Sequence, residues 1–449
     1  MKIHFSGIGG IGISALARYY LKKGHQVTGS DLCPTSLTQD LENEGITMIS
    51  AQENIPINTN FHIYSEAVPK TDIQRLSAKK NKIASLSYFK ALGVLSSKYK
   101  TIAVCGTHGK TTTTAMIGSV LQKIQTKALI IVGSLLKEFN NTNIYFSKVK
   151  PDKSKSLYTK IVEDTYKSQW FVVEACEYRE NFLWLNPFGV VLLNCDWDHI
   201  DYYKTFEVYK NAFIKLVKKI PKKGFLIVNF DDPVTRSIAI HAKCTVIPVS
   251  PSKIENLSSL KIPGVYNQYN AEFAKLTCQQ IDNNKRTINK YIEAFSGIWR
   301  RFDILGQKKK ITIIDDYAHH PIEIKTVLKT LLTEFPQKKL CIIFQPHQYS
   351  RTYELLENFI TAFDLLLDIE HILYITDIYE ARDNAQTKQA VNSKILTDKI
   401  KERGLNCIYS GNYEETFNKM INLINNFDIL FTMGAGPVNE LSEKFFKNY

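Results

Sequence analysis

The stretch GTHGKT occupies positions 106–111, between an apolar run at 101–105 and a helical pattern that follows it. A strand, a glycine-containing turn and a helix in this order direct backbone N–H groups and the positive end of the helix dipole toward phosphate oxygens. In such loops a lysine contacts the terminal phosphates and a hydroxyl reaches Mg²⁺. The sequence therefore predicts a nucleoside triphosphate site, with Gly109, Lys110 and Thr111 in these roles. Val104 stands where the general phosphate-loop pattern has another glycine, so an ordinary loop is the alternative.

A second glycine-rich turn, Gly7-x-Gly9-x-x-Gly12, lies between a short strand at 2–6 and another helical pattern. This order predicts a βαβ unit. The next strand, at 26–29, ends beside Asp31, close to the distance at which dinucleotide sites place a ribose-binding acid. Any diphosphate satisfies the same backbone donors. The turn therefore fits NAD, a nucleotide-sugar, or a tight packing turn without a ligand.

Composition and charge limit the class of protein. With 449 residues the chain should form two to four domains, since single cores stop growing near ~250 residues. The net charge of +13 is scattered without a long basic tract, which favours anionic small molecules over nucleic acid as partners. The eight cysteines form no CxxC pair or zinc-like cluster, and the start of the sequence has no signal pattern. We therefore expect reduced thiols and a cytoplasmic location. No apolar run approaches ~18 residues, so no membrane insertion is expected. A monomer or homodimer is expected.

The alternation of strand and helix patterns along the whole chain predicts an α/β protein of three domains. A polar link at 96–100 and a change of pattern after 283–285 mark the boundaries. The predicted domains are a Rossmann-like domain at 1–98, a central phosphate-loop ATPase-like domain with a parallel or mixed sheet at 99–293, and a Rossmann-like domain at 294–449. The glycine-poor, lysine-rich segment 137–167 is predicted to be a loop or an inserted excursion.

The central domain carries acids and a histidine at the predicted strand ends. Glu174 ends one strand, and Asp198 and His199 follow another. Carboxyl ends of parallel strands converge on the crevice where ligands bind, so Glu174 is a plausible Mg²⁺ ligand beside Thr111. His199 fits two roles equally well: it contacts a second Mg²⁺ or a phosphate, or it caps the following helix.

The last third repeats a strand, a polar loop and a helix three times, which predicts a doubly wound domain. The first loop contains Tyr317 and His319-His320, and the second contains His347 and Arg351. His319 and His320 stand beside Pro321, so capping of the next helix is as plausible for them as a ligand role.

The motifs, taken together and in order, resemble the Mur ligase family across all three predicted domains. They are GIGGIG, GTHGKTTTT, EACEYRENFL, Asp198-His199, GVYNQYN, RRF, DDYAHHP, QPHQYSRT and GAG. The resemblance implies a cell-wall enzyme of peptidoglycan synthesis that uses ATP to join L-alanine to the carboxylate of UDP-N-acetylmuramate through an acyl phosphate, giving UDP-N-acetylmuramoyl-L-alanine, ADP and phosphate. A related ligase that attaches a recycled peptide to the same sugar is the alternative, although QPHQYSRT favours L-alanine. An NAD-dependent enzyme or a nucleic-acid ATPase would not account for Lys110-Thr111 together with the loops of the last domain.

The same resemblance implies three groups of site residues. The UDP-sugar would contact Gly9, Gly10, Ile11, Gly12 and Asp31. ATP would contact Gly106, Thr107, His108, Gly109, Lys110, Thr111 and Thr112, with Asn267, Arg301 and Asp316 at the adenosine and phosphates. L-alanine would contact Tyr317, His347 and Arg351. Thr111 and Glu174 would hold one Mg²⁺ and His199 a second, so that Lys110 and the ions held by Glu174 and His199 act as electrostatic clamps. His347 or His319 is the candidate base for the amine.

Two positions and one segment depart from the family pattern. Tyr266 replaces the usual histidine before Asn267, and Gln348 replaces an arginine, which leaves Arg351 as the main partner of the alanine carboxylate. The segment 137–167 does not show the usual glycine-and-asparagine stretch that faces the sugar.

Overall fold

The computed structural model describes residues 1–147, 169–199, 201–250, 252, 260–380, 383 and 385–448. These residues divide into two compact units, Met1–Leu260 with Gln268–Phe295, and Lys261–Asn267 with Ser296–Tyr449. The first unit contains two sheets and the second contains one, and each sheet is mostly parallel with helices on its faces. The predicted domain boundaries at 98 and 293 stay predictions.

The first sheet has the doubly wound strand order β3-β2-β1-β4-β5, with every pair parallel. Its strands are β1 (Lys2–Ser6), β2 (Gln26–Ser30), β3 (Thr47–Met48), β4 (Phe61–Tyr64) and β5 (Ala84–Ser87). Its helices are α1 (Ile11–Lys22), α2 (Ser36–Asn43), α3 (Ile73–Lys80) and α4 (Tyr88–Ser96). The chain reverses direction across the sheet between β1 and β4, so the glycine turn after β1 lies at the switch point where such sheets bind ligands.

The second sheet has the order β12-β11-β10-β6-β9-β7-β8, in which only β7 and β8 pair antiparallel. Its strands are β6 (Lys100–Cys105), β7 (Ala128–Leu136), β8 (Thr142–Phe146), β9 (Trp170–Glu174), β10 (Pro187–Leu192), β11 (Phe225–Asn229) and β12 (Thr245–Val249). The helices that follow are α5 (Lys110–Lys123), α6 (Phe206–Lys218), α7 (Pro233–Ala239), α8 (Val265–Gln279) and α9 (Lys285–Glu293). The apolar run of β6 is buried between β9 and β10, which places the loops after these three strands side by side.

The third sheet has the order β13-β14-β18-β15-β16-β17, and only β13 and β14 pair antiparallel. Its strands are β13 (Asp303–Lys308), β14 (Ile311–Asp316), β15 (Leu340–Phe344), β16 (His371–Thr376), β17 (Cys407–Gly411) and β18 (Ile429–Met433). Its helices are α10 (Pro321–Glu334), α11 (Tyr349–Glu354), α12 (Leu356–Ala362), α13 (Ala385–Ala390), α14 (Ser393–Glu402), α15 (Tyr413–Ile421) and α16 (Asn439–Asn448). Within the parts of the chain described above, no helix is long and apolar enough to cross a membrane.

The prediction of a loop or an inserted excursion over 137–167 is wrong as a loop for Thr142–Phe146, which form β8. A short 3₁₀ turn, Lys137–Phe139, leads into β8, which pairs with β7. The side chain of Asn143 in β8 accepts a hydrogen bond from Arg18 Nη1 at 2.8 Å and donates one to Ser14 Oγ at 2.9 Å. Glu44 pairs with the same buried arginine at 2.7 Å. β8 is therefore fixed by its contacts to α1, which the composition of the segment does not reveal. Residues 148–167 lie outside the described residues.

A buried polar network lies beneath the first glycine turn. His4 and His62 are both 0% exposed. His4 Nε2 lies 3.0 Å from Gln74 Oε1, His62 Nε2 lies 2.9 Å from Ser6 Oγ, and Ser6 Oγ donates to the same Gln74 oxygen at 2.6 Å. Burial lowers the pKa of His4 to about 4 and that of His62 to about 3. Both imidazoles are therefore neutral in the folded protein at neutral pH.

This network predicts acid sensitivity of the first unit. As the pH falls below about 6.5, these two histidines bind protons in the unfolded chain, whereas the buried imidazoles of His4 and His62 in the folded chain do not. The free energy of unfolding therefore decreases with falling pH until the folded-state pKa values of about 4 and 3 are reached. Each histidine contributes up to ~1.4 kcal/mol per pH unit. Calorimetric melting of wild type and His62→Gln between pH 7 and 5 checks this: the variant should lose less melting temperature over that range. Equal slopes would show that His62 does not carry the effect.

Candidate active site

Hydrogen bonds connect the loop after β6 to the segment after β10. Thr107 Oγ1 donates to the backbone oxygen of Asp196 at 2.6 Å, and the backbone N–H of His108 donates to Asn194 Oδ1 at 2.9 Å. Gly109 is the N-cap of α5 and has a φ of +82°, a backbone conformation that favours glycine. A side chain there would also meet Asn270 Oδ1 at 2.5 Å. The loop thus leads into a helix N-terminus that is suited to phosphate.

Lys110 is bound to its own loop and to a buried acid. Its Nζ donates to the backbone oxygens of Gly106 and Thr107 at 2.5 and 2.9 Å, and to Glu177 Oε1 at 3.0 Å. Burial lowers the pKa of Lys110, but the carboxylates of Glu177 and Glu174 raise it above its ordinary value. Burial also raises the pKa of Glu177, and Lys110 and His199 outweigh it and keep that pKa below its usual range. Lysine and glutamate are therefore both charged.

Glu174 and Thr111 present oxygen ligands at the ends of neighbouring elements. Thr111 Oγ1 donates to Glu174 Oε1 at 3.1 Å, and the backbone N–H of Gly133 donates to Glu174 Oε2 at 3.0 Å. A Cβ at Gly133 would lie 2.3 Å from that oxygen, so only glycine permits the approach. In the described part of the chain, no three His, Cys, Asp or Glu side chains form a metal site by themselves. A carboxylate and a hydroxyl fit Mg²⁺, which uses one or two protein ligands together with phosphates.

His199 faces the same buried acid as Lys110. Its Nε2 lies 3.5 Å from Glu177 Oε1 and 3.8 Å from Asp198 Oδ2, and its ring lies 4.8 Å from the ring of Tyr178. The alternative that His199 caps the following helix is wrong, because α6 begins at Phe206 and takes its cap from Thr205.

The first glycine turn and Asp31 lie together in the same unit. The backbone N–H of Gly9 donates to Asp31 Oδ2 at 2.8 Å, and α1 begins at Ile11 with Gly10 as its N-cap and no side-chain cap. The helix N-terminus therefore directs its first N–H groups, including that of Gly12, out of the turn. Asp31 also lines a cavity of about 370 Å³ together with residues of α2, among them Thr38 and Gln39.

In the second unit, Arg301 and Asp316 lie close together. Asp316 accepts hydrogen bonds from the backbone N–H groups of Phe302 and Ala318, both at 2.6 Å. Burial raises its pKa to about 6 even though Arg301 lowers it. Asn267 donates from its side chain to the backbone oxygen of Pro263 at 2.6 Å. Burial and the negative charge of Asp316 raise the pKa of Tyr266, the residue before Asn267.

The residues predicted to bind an amino acid form one chain of contacts. Arg351 Nη1 lies 3.1 Å from His347 Nδ1, the ring of His347 lies 5.6 Å from that of His319, and His319 lies 5.4 Å from Tyr317. The guanidinium of Arg301 lies 5.3 Å from the Tyr317 ring. The structure therefore brings Tyr317, His347 and Arg351 together.

The hydrogen bonds distinguish the two histidines as bases. Arg351 can only donate, so His347 Nδ1 accepts and its neutral ring carries hydrogen on Nε2. His319 Nδ1 lies 2.9 Å from the backbone oxygen of Tyr317, which can only accept, so its neutral ring leaves Nε2 as the acceptor. His319 fits the base role better than His347 in this arrangement. His320 caps α10, which confirms the capping alternative for that residue.

Sequence reasoning missed several residues that build this site. Glu177 stands in the quoted EACEYRENFL, and a second acid three residues after Glu174 was its only signal. Gly133 stands four residues before the segment 137–167, and Asn143 lies within it. They contact Glu174 and α1, respectively, and supply both residue types.

Comparisons with known proteins agree with this architecture. Three family models match in order: the Mur ligase family catalytic domain at residues 2–100, the Mur ligase middle domain at 104–258, and the Mur ligase glutamate ligase domain at 300–436. The UDP-N-acetylmuramate–L-alanine ligase of Alkaliphilus metalliredigens is 37% identical over 97% of this chain and 95% of its own. The protein of that name from Caldicellulosiruptor saccharolyticus is 35% identical over 98% and 97%. The chain belongs to the Mur ligase family, as its motifs predicted.

Two solved structures share the fold. The UDP-N-acetylmuramate–alanine ligase of Thermotoga maritima has a TM-score of 0.76 at 23% identity and covers 100% of this chain and 99% of its own. A murein peptide ligase of Psychrobacter arcticus has a TM-score of 0.71 at 20% identity, covering 100% and 98%. These likenesses confirm the predicted three-domain α/β fold.

The Gly109 geometry predicts a large effect of one added methyl group. In Gly109→Ala, the left-handed backbone costs about 1–2 kcal/mol and the Asn270 side chain must also move. Gly24→Ala is the matched control, because Gly24 has the same φ of +82° and nothing within 4 Å of the added Cβ. Denaturant unfolding should show a greater loss for Gly109→Ala than for Gly24→Ala. Equal losses would mean that the loop relaxes around the methyl group.

Proposed function

We propose that this protein ligates L-alanine to the carboxylate of UDP-N-acetylmuramate with ATP, releasing ADP and phosphate. The observation that carries the proposal is the meeting of Lys110, Thr111 and Glu174 at one sheet edge of a chain whose curated relatives have that activity in their names. The proposal includes the cytoplasm as the location, since all eight cysteines are free thiols.

The chemistry explains why the site is built from charges. A carboxylate does not acylate an amine directly, so a carboxylate oxygen of the sugar attacks the γ-phosphorus of ATP, the bond to ADP breaks, and an acyl phosphate forms. The amine of L-alanine, having lost a proton, then attacks the acyl carbon and releases phosphate that carries the attacking oxygen. The main barrier is the approach of two anions, and fixed positive charge lowers it.

Lys110 is the protein's own positive charge at this point. Its ammonium is held on the loop that would surround the phosphates, so it needs little reorganisation to contact them. The backbone N–H groups of residues 106–112 would add neutral donors. Thr111 and Glu174 would hold Mg²⁺, and His199 would serve a second ion. Bound there, Mg²⁺ supplies charge that neutralises the phosphates and the sugar carboxylate.

Two further elements would bind the other substrates. The turn Gly9-Gly10-Ile11-Gly12 offers helix N–H groups for the diphosphate, and the cavity beside Asp31 has room for the nucleoside. In the second unit, Arg351 offers a planar pair of donors to the alanine carboxylate and His319 an acceptor for the amine proton. Asn267, Arg301 and Asp316 stay predicted nucleotide contacts.

The test is phosphate release measured with each substrate omitted in turn. We expect release only when ATP, Mg²⁺, UDP-N-acetylmuramate and L-alanine are all present. A tripeptide that begins with L-alanine is the rival acceptor, because a recycled-peptide ligase would use it. Faster turnover with the tripeptide than with L-alanine would contradict the proposal.

Removal of the lysine charge should abolish ligation. In Lys110→Ala the loss of one preorganised charge should slow turnover by at least about two orders of magnitude, corresponding to ~3 kcal/mol. The affinity for UDP-N-acetylmuramate, measured by calorimetry, should stay close to wild type because the UDP end binds at a different sheet. Lys215→Ala is the control: that lysine pairs at the surface with Glu180 at 2.6 Å and should be neutral for activity. Near-normal turnover in Lys110→Ala would refute the phosphate-loop assignment.

Exchange of Arg351 for lysine should weaken the binding of L-alanine and of no other substrate. The charge remains, but the two-donor geometry is lost, so the KM for L-alanine should rise about tenfold to a hundredfold, the equivalent of ~1.5–3 kcal/mol of charge-assisted hydrogen bonding. The KM values for ATP and the UDP-sugar should barely change. Arg403→Lys, which alters a surface pair with Asp364 at 2.6 Å, is the control. A defect confined to ATP would move Arg351 to the nucleotide site.

A further inference from the structure

Glu177 is a buried acid at the centre of the candidate site to which no role in the reaction has yet been assigned. Its side chain is 1% exposed. One oxygen, Oε1, lies 3.0 Å from Lys110 Nζ and 3.5 Å from His199 Nε2. The other oxygen, Oε2, has no hydrogen-bond partner within the described ranges of the chain.

The backbone around Glu177 is fixed, so the carboxylate cannot easily move away. The hydroxyl of Tyr203 donates to the backbone oxygen of Glu177, and the backbone N–H of Glu180 donates to the same oxygen at 2.9 Å. Arg179 and Glu180 then take left-handed φ values of +53° and +59°, which are costly for residues with side chains. Such strain persists where the surrounding structure holds it in place.

We infer that Glu177 is a positioning residue whose carboxylate holds Lys110 on the phosphate loop and gives it up to the terminal phosphate of the nucleotide. The inference rests on the proposed ATP site. Glu177 differs from Glu174, which offers its oxygens beside Thr111 and would touch the metal. Because Glu177 contacts both Lys110 and His199, it fixes the separation of two groups that must act on the same phosphate.

Competition follows from this arrangement. The Glu177 carboxylate and a bound phosphate compete for the single ammonium of Lys110. A buried anion without its partner is energetically costly. Nucleotide that binds without Mg²⁺ must therefore displace the glutamate from its lysine. Neutralising Glu177 removes its competition with the nucleotide phosphate for Lys110, so the nucleotide should bind more tightly. The same change removes the carboxylate that orients Lys110 and His199, so turnover should slow.

The experiment is calorimetric titration of Mg²⁺-free ATP into wild type, E177Q and E180Q, followed by steady-state kinetics with Mg²⁺. Glutamine keeps the shape of Glu177 and removes its charge. We expect E177Q to bind Mg²⁺-free ATP about tenfold more tightly, as if one charge-assisted hydrogen bond had been freed for phosphate, and to lose at least about tenfold in kcat. E180Q is the control, since Glu180 lies in the same turn and pairs at the surface with Lys215. Unchanged or weaker ATP binding in E177Q overturns the inference, whatever happens to kcat.

A thermal double-mutant cycle tests the contact without any substrate. K110M leaves the Glu177 carboxylate buried without its ammonium, so its melting temperature should fall more than that of the K110M/E177Q double variant. Additive changes in melting temperature would overturn the inference. The ATP titration and the melting measurements need neither UDP-N-acetylmuramate nor L-alanine, so their failure is distinguishable from a failure of the proposed ligase activity.

Discussion

The carboxyl ends of β9, β6 and β10 lie side by side in the second sheet, and the candidate site depends on this placement. Glu174 ends β9, Lys110 follows β6, and His199 follows β10. Parallel strands bring such residues to one edge although 89 positions separate the first of them from the last. A cation, a hydroxyl and carboxylates therefore meet in a buried space, where charges interact more strongly than they do in water.

Burial makes that meeting costly unless each charge has a partner. Lys110 pairs with Glu177, and Glu174 accepts hydrogen bonds from Thr111 and the Gly133 N–H. The site is thus built around charge pairs that a polyanionic substrate can rearrange. Under the proposed function, this accounts for the two acids beside one lysine: Glu174 is suited to a metal, and Glu177 holds the lysine.

Much of this could be predicted from the sequence, because glycine spacing and apolar runs report local backbone structure. They correctly placed Glu174 at the end of a strand, and Lys110 and Thr111 in the strand-turn-helix that follows β6. Glu177 escaped prediction because its position depends on an irregular turn with two left-handed residues, Arg179 and Glu180, neither of which is a glycine. β8 was not predicted because its position depends on a contact between Asn143 and Arg18, which are 125 residues apart in the sequence. The sequence of the first glycine turn does not distinguish NAD from a UDP-sugar, because both ligands contain a diphosphate that the same N–H groups can bind. The tautomers of His319 and His347 likewise require the atoms around them.

Transfer of oxygen tests the central claim most directly. UDP-N-acetylmuramate labelled with ¹⁸O in its carboxylate is incubated with ATP, Mg²⁺, L-alanine and the enzyme, and the released phosphate is analysed by mass spectrometry. If the carboxylate attacks the γ-phosphorus to form an acyl phosphate, each phosphate carries one ¹⁸O from the sugar. Phosphate free of the label, released in step with ligated product, would contradict the account.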